Sequence, residues 1–275
     1  LTTLLSWVSF SDTGESPDKP RAVYLASDSR ITWNTADRRW DSGRKVFAVT
    51  TAPHLFGFCG DVVLPSLILG QVSAAIEAGI LIDPLATADE QHQAVLGAVR
   101  RCVATTVATP SLDFTIHHLT RSADWPNTEF RAWRIDYNVT ERQCTSSPIA
   151  IPATTGLIES FGTGQDAARV HRTKWLVSDI GNRSRAILSA FQDAIISGDD
   201  PLSGGAPQLA ALYTRGPPEQ IGLVIGERRF LNGLEVEVSP MLNAVEWRDQ
   251  LGQRVDPVTG LLRSGARRFV RPGRI

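Results

Sequence analysis

LTTLLSWVSF, residues 1–10, sets two threonines, Thr2 and Thr3, directly before an apolar run that reads as a β-strand. Chain ends usually fray and carry nothing, so the hydroxyls have two readings. In one they merely start the strand. In the other the terminus is the catalyst, because an amino-terminal threonine supplies a hydroxyl and, in its own α-amine, a base. An α-amine has a pKa of about 7.7–8.0 and is partly neutral near pH 7, where an ordinary lysine is almost wholly protonated. Such a site also needs a cation to hold down the pKa of the hydroxyl, a carboxylate to fix that cation, and an amide N–H for the oxyanion.

Outward from this run, RAVYLASDSRIT (21–32) resumes the β pattern after SDTGESPDKP (11–20), whose Gly, Ser, Pro and Asp mark a loop. RKVFAVTT (44–51) and HLFGFCG (54–60) add two short strands. The closeness of these strands along the chain favours antiparallel pairing. The spacing then turns helical and predicts helices over 61–79 and 86–108, the second with Asp89 and Glu90 early and Arg100 and Arg101 late, as its dipole prefers. Strands return in DFTIHHLTR (113–121), TEFRAWRIDY (128–137) and QCTSSPIAI (143–151). GLIESFGTG (156–164) reads as a strand that becomes a helix at Gln165, and a further helix is expected over 184–197. PQLAALYTR (207–215) and IGLVIGERRF (221–230) supply closing strands. Two mainly antiparallel sheets, each covered by a helix pair, satisfy this order, giving an α+β fold of four layers, αββα.

With 275 residues the chain suits one domain with additions. That domain is expected over 1–240, followed by an Arg-rich extension over 241–275 that packs on the domain or on a neighbouring subunit, or else forms a basic tail. A formal charge of -1 gives no whole-chain attraction to nucleic acid or to anionic membrane. The longest apolar stretch, 62–86, contains Pro65, Gln71 and Glu77 and makes a poor membrane span. Cys59, Cys102 and Cys144 form no CxxC pair, which fits a reducing compartment, and the opening lacks the basic start and cleavage site of a secretory signal; the cytoplasm is the expected location.

Six short motifs carry the chemistry, in order: TTLL (2–5), LASDSRIT (25–32), GRKVFAV (43–49), GFCGDV (57–62), SFGTGQDAA (160–168) and DDPLSGG (199–205). Together they resemble the β-type subunits of the proteasome and their bacterial relatives, within the N-terminal nucleophile hydrolases. The resemblance is a series of matches over roughly residues 2–226 and not a continuous identity. It implies Thr2 as nucleophile, Asp28 as the carboxylate beside the lysine, Arg30 as a structural ionic partner, Thr32 as a backbone contact for an extended substrate, and Lys45 as the catalytic lysine. It further implies that the Gly60 N–H meets the oxyanion and that Thr163, in place of the family's serine, joins Asp200 and Ser203 in orienting the terminal amine. No cofactor is implied. The expected partners are further copies of the chain in a ring or stacked rings, unfolded polypeptide as substrate, and an ATP-dependent unfoldase.

The resemblance strains at Leu1. While Leu1 stays attached, the Thr2 nitrogen is an amide without a basic lone pair, so activity is conditional on its removal. A chain that keeps Leu1 would be an inactive scaffold, and small-molecule amide hydrolysis is the third alternative, since other branches of the superfamily perform it. The loop 11–20 and the carboxyl end are longer than the family's usual ones, at places where subunits could touch. GTGQDA (162–167) also fits a dinucleotide-binding turn, but Asp179 follows sooner than the usual spacing of about 20 residues, and no alternating βαβ series surrounds it. Adjacent on a strand, His117 and His118 face opposite ways, and His54, His92 and His171 are dispersed; no metal site is expected.

Overall fold

A computed structural model describes residues 2–11, 19–33, 35–106, 112–266 and 268–271. Leu1 and most of the 11–20 loop lie outside them. The class is mixed α+β with mainly antiparallel sheets.

The first sheet is built from β1 (Leu4–Phe10) and β2 (Pro20–Ser27) early in the chain and from strands of its second half. A short hairpin follows, β3 (Ile31–Trp33) and β4 (Thr35–Trp40), paired with each other. The second sheet comprises β5 (Val46–Ala48), β6 (His54–Gly60), β7 (Phe114–Arg121), β8 (Phe130–Asn138) and β9 (Gln143–Ile149), in sequence order and antiparallel throughout. Between β6 and β7 run α1 (Val63–Glu77) and α2 (Ala88–Ala104). The chain then returns to the first sheet as β10 (Gly156–Phe161), makes α3 (Gln165–Leu176) and α4 (Ser184–Ser197), and closes with β11 (Gln208–Tyr213), β12 (Glu219–Ile225), β13 (Arg228–Leu231), β14 (Leu234–Val236) and β15 (Glu246–Arg248). The order in that sheet is β10-β1-β2-β11-β12-β13-β14, with β15 parallel to β12.

Apolar residues on both faces of the strands explain the stacking. Leu4 and Val8 of β1 join Leu25 of β2, Leu55 and Cys59 of β6, Leu119 of β7 and Leu212 of β11 in a core between the two sheets. Leu5 and Trp7, on the opposite face of β1, pack with Tyr24 and Ala26 against Ile187, Leu188 and Phe191 of α4. Phe56 and Phe58 turn the outer face of the second sheet toward Ile68, Leu69 and Val72 of α1 and Val95 and Val99 of α2. A strand buried on both faces has no need of polar alternation, which is why LLSWVSF of β1 carries apolar residues at both odd and even positions.

Local chemistry sets the boundaries. The helix expected from 86 begins at Ala88, because Thr87 caps it: the Thr87 hydroxyl accepts from the Glu90 N–H while the Glu90 carboxylate accepts from the Thr87 N–H. RAVYLASDSRIT does not run as one strand. The Ser29 and Arg30 N–H groups leave the ladder for the Gly204 carbonyl, at 3.0 and 2.9 Å, and split it into β2 and β3. IGLVIGERRF folds back on itself, with Ile225 opposite Arg228 and Gly226 at φ 59°, a two-residue turn that suits glycine in its first position.

The described part of the carboxyl extension packs on the domain. Trp247 of β15 lies in a buried cluster with Val224 and Val255, and Phe269 joins Trp175, Ala186 and Ala190. Glu246 sits between Arg248, at 2.8 Å, and Arg254. No helix among the described residues is long and apolar enough to cross a membrane.

Candidate active site

Where β1 begins, β2 ends and β5 starts, three polar side chains meet in a fully buried position. Thr2, Asp28 and Lys45 are each 0% exposed. Burying an ammonium is costly unless it is paired and hydrogen-bonded. Lys45 Nζ meets both conditions, donating to Thr2 Oγ1 at 2.9 Å, to Asp28 Oδ1 at 2.9 Å and to the Arg30 carbonyl at 2.5 Å. Three protons thus meet three oxygens. Burial pulls the Lys45 pKa below the ordinary lysine value, against the opposing pull of Asp28.

Asp28 is held as firmly. Its Oδ1 also accepts from the Thr3 N–H at 3.0 Å, and its Oδ2 accepts from the Arg30 and Gly204 N–H groups, both at 3.0 Å. The residue beside Thr2 is therefore tied to the carboxylate that fixes the lysine. The Arg30 side chain, unlike its backbone, points away from this cluster. It grips Asp41 in a bidentate pair, 2.7 and 2.9 Å, and donates to the Pro201 and Ser203 carbonyls at 3.0 and 3.3 Å. Its hydrogen bond to Asp41 raises the Arg30 pKa and lowers that of Asp41.

A second group of hydroxyls converges on Asp200. Thr163 Oγ1 and Ser203 Oγ each donate to its Oδ2 at 2.7 Å, and Thr3 Oγ1 donates to Ser203 Oγ at 2.8 Å. Burial pushes the Asp200 carboxyl upward, but these hydroxyls and the Leu202 N–H outweigh it and hold it below the usual range. Thr3 therefore joins the two groups, through its N–H to Asp28 and through its hydroxyl to Ser203. That role is invisible in the sequence, where Thr3 reads only as the start of a strand.

Gly60 ends β6 at φ 98°, where an added Cβ would lie 2.2 Å from the Asp113 carbonyl oxygen. It lies two residues beyond Phe58, whose N–H donates to the Lys45 carbonyl at 3.3 Å. Position, and no hydrogen bond to the cluster, associates Gly60 with the site. Thr32 lies in β3 opposite Arg39, and its buried hydroxyl has no hydrogen-bond partner among the described residues. Burial pushes the Cys59 thiol up to about 11 and keeps it protonated near neutral pH, which makes it a poor nucleophile.

GTGQDA has a physical account other than a dinucleotide. A Cβ on Gly162, at φ 89°, would lie 1.9 Å from the Thr2 carbonyl oxygen, and one on Gly164 would lie 1.8 Å from Thr3 Oγ1. The space that these glycines leave is filled by the opening threonines. Gly162→Ala is therefore expected to lower stability by roughly 2–4 kcal/mol in urea melts, since strain at positive φ adds to overpacking. An unchanged urea midpoint would contradict this close approach.

The histidines depart from the expected dispersal. His54 Nδ1 lies 3.0 Å from His118 Nε2, His118 Nδ1 lies 2.9 Å from His92 Nδ1, and His92 Nε2 lies 2.8 Å from Ser146 Oγ. The fold brings β6, β7, α2 and β9 together there, so residues far apart in sequence form one chain of rings. His118 uses its two nitrogens on different neighbours, an arrangement that is linear and does not converge on a metal. Among the described residues no group of three or more His, Cys, Asp or Glu could hold a metal ion. His117 faces the other way, edge-on to Phe161, and neither ring nitrogen has a partner among the described residues. His171 lies apart, 2.9 Å from Asp199.

Neither protein-family models nor curated protein sequences gave a match to the chain.

Proposed function

We propose that the chain is a threonine-type endopeptidase of the proteasome-like kind, an N-terminal nucleophile hydrolase of αββα architecture. One observation carries the reading: a wholly buried Lys45 ammonium set 2.9 Å from both Thr2 Oγ1 and Asp28 Oδ1. A cation so placed favours the alkoxide character that the Thr2 oxygen gains on attack.

In this mechanism the bond joining Leu1 to Thr2 is first hydrolysed, which frees the Thr2 amine. Thr2 Oγ1 then attacks the scissile carbonyl carbon, and its proton passes to the α-amine through a water. The Gly60 N–H stabilises the oxyanion. The C–N bond breaks as the α-ammonium protonates the leaving amine, leaving an ester on Thr2. A water attacks that ester, releases the acid and restores the hydroxyl. Lys45, fixed by Asp28, holds down the pKa of the hydroxyl throughout. Thr163, Asp200 and Ser203 orient the amine, Arg30 braces the segment 201–203, and Thr32 offers its backbone to an extended peptide.

The reading extends to a cytoplasmic ring or stacked rings of identical chains that admit unfolded polypeptides, fed by an ATP-dependent unfoldase. Intact mass of purified protein tests the premise, together with hydrolysis of peptides and of small amides by the parent and by Thr2→Ala. The expected result is a chain that begins at Thr2, cleaves peptides in preference to small amides, and loses activity in Thr2→Ala. Retention of Leu1 in an assembled, inactive ring would favour the scaffold, and preference for small amides would favour an amidase.

A further inference from the structure

Asp28 and Lys45 belong to different sheets. Asp28 follows β2 in the first sheet and Lys45 precedes β5 in the second, so no ladder between their strands fixes their spacing. Between the sheets lie mainly apolar contacts, which are non-directional. Directional bonds must hold the 2.9 Å separation of Lys45 Nζ from Asp28 Oδ1 in register; one, from the Gly43 N–H to the Ser29 carbonyl at 2.9 Å, ties neighbouring residues but neither Asp28 nor Lys45 itself.

Gln208 is placed to do this. It begins β11, opposite Ser27 of β2, and is 1% exposed. Its Oε1 accepts from the Lys45 N–H at 3.0 Å and the Val46 N–H at 3.3 Å, while its Nε2 donates to the Asp28 carbonyl at 3.1 Å and the Gly43 carbonyl at 2.8 Å. A carboxamide has two donor hydrogens and two acceptor lone pairs, and here all are used. The partners also fix its orientation: a flipped amide would set NH₂ against two N–H groups and oxygen against two carbonyls. One rigid, planar group thus clamps the backbone of the carboxylate residue to the backbone of the lysine residue across the gap between the sheets.

We infer that Gln208 is a positioning residue, which sets the Asp28–Lys45 geometry that activates Thr2; this rests on the threonine-hydrolase reading. All four hydrogen bonds of the Gln208 carboxamide go to backbone groups, so its removal should slow the chemical step and leave reagent binding unchanged.

The test follows acylation of Thr2 by a β-lactone, resolved into a saturation constant and a limiting rate, in full-length chains that begin at Thr2. Gln208→Met keeps the length and loses all four hydrogen bonds; its limiting rate is expected to fall at least about tenfold with the saturation constant unchanged. Gln208→Glu supplies a readout that packing alone would not move. As a neutral acid it can donate one hydrogen bond to the facing carbonyls, and as a carboxylate it repels both. Burial raises its pKa, so its rate relative to the parent should fall as the pH rises from about 6 to about 8.5. If Gln208→Met does not fold, the Gln208→Glu ratio decides alone. Parent-like rates in a folded Gln208→Met, or a flat ratio for Gln208→Glu, overturn the inference while the threonine reading stands. Failure of the parent to form a Thr2 ester overturns both.

Discussion

Lys45→Met is expected to slow acylation of Thr2 by about 10²- to 10⁴-fold, the range found when a positioned acid, base or charge-stabilising group is removed. The cation contacts Thr2 Oγ1 directly, and methionine offers similar bulk without charge. The substitution also leaves the Asp28 carboxylate buried and without its ammonium, at a cost of about 3–5 kcal/mol. Lost activity alone would therefore be ambiguous. Lys45→Met combined with Asp28→Asn removes both charges and should regain part of that stability, while Thr2 acylation stays low. Denaturant melts alongside acylation rates separate the effects. Full recovery of the rate in the stabilised double variant would remove Lys45 from the chemistry.

Acid is expected to unfold the protein well before its carboxylates are protonated. Burial lowers His54 and His92 to about 4 and His117 to about 3, and drives His118 well below its usual value, with the neighbouring histidines adding to the effect. In the unfolded chain the same groups titrate near 6.5. Between these values the unfolded state binds more protons, so stability falls as pH falls, by about 1.4 kcal/mol per pH unit for each such histidine. Above about pH 6.5 both states are neutral at these sites and the contribution is complete. Asp89 near His92 and the Gln91 side chain at His54 oppose the shifts without reversing them. Urea melts from pH 7.5 to 5 should show this loss. Because neither nitrogen of His117 has a partner among the described residues, His117→Leu should be neutral or stabilising at pH 7.5 and should lower the slope. A pH-independent urea midpoint over this range would contradict the buried neutral histidines.

Parts of this picture are legible in sequence because they depend on local spacing. α4 occupies the expected span, Ser184–Ser197, and α3 begins at the expected Gln165, following the 3.6-residue apolar period. Thr163, Asp200 and Ser203 stand in short motifs, and the fold joins them by hydrogen bonds. Gln208 could not be singled out. In APQLAAL it looks like any polar residue at a strand start, and its partners are backbone groups that two sheets bring to it. The same holds for His54 and His118, 64 residues apart and brought within hydrogen-bond distance by the pairing of β6 with β7. Adjacent placement of His117 and His118 did predict opposite faces, and their surroundings differ accordingly.

Whether Thr2 supplies both the nucleophile and the base is tested most directly with an electrophile that must bond to a hydroxyl and an adjacent amine of one residue. Digestion and mass spectrometry of a peptide-cleaving preparation should find a single adduct, closed across Oγ1 and the α-nitrogen of Thr2 as first residue, and none in Thr2→Ala. Peptide cleavage by chains that still carry Leu1, or an adduct that persists in Thr2→Ala, would contradict the account.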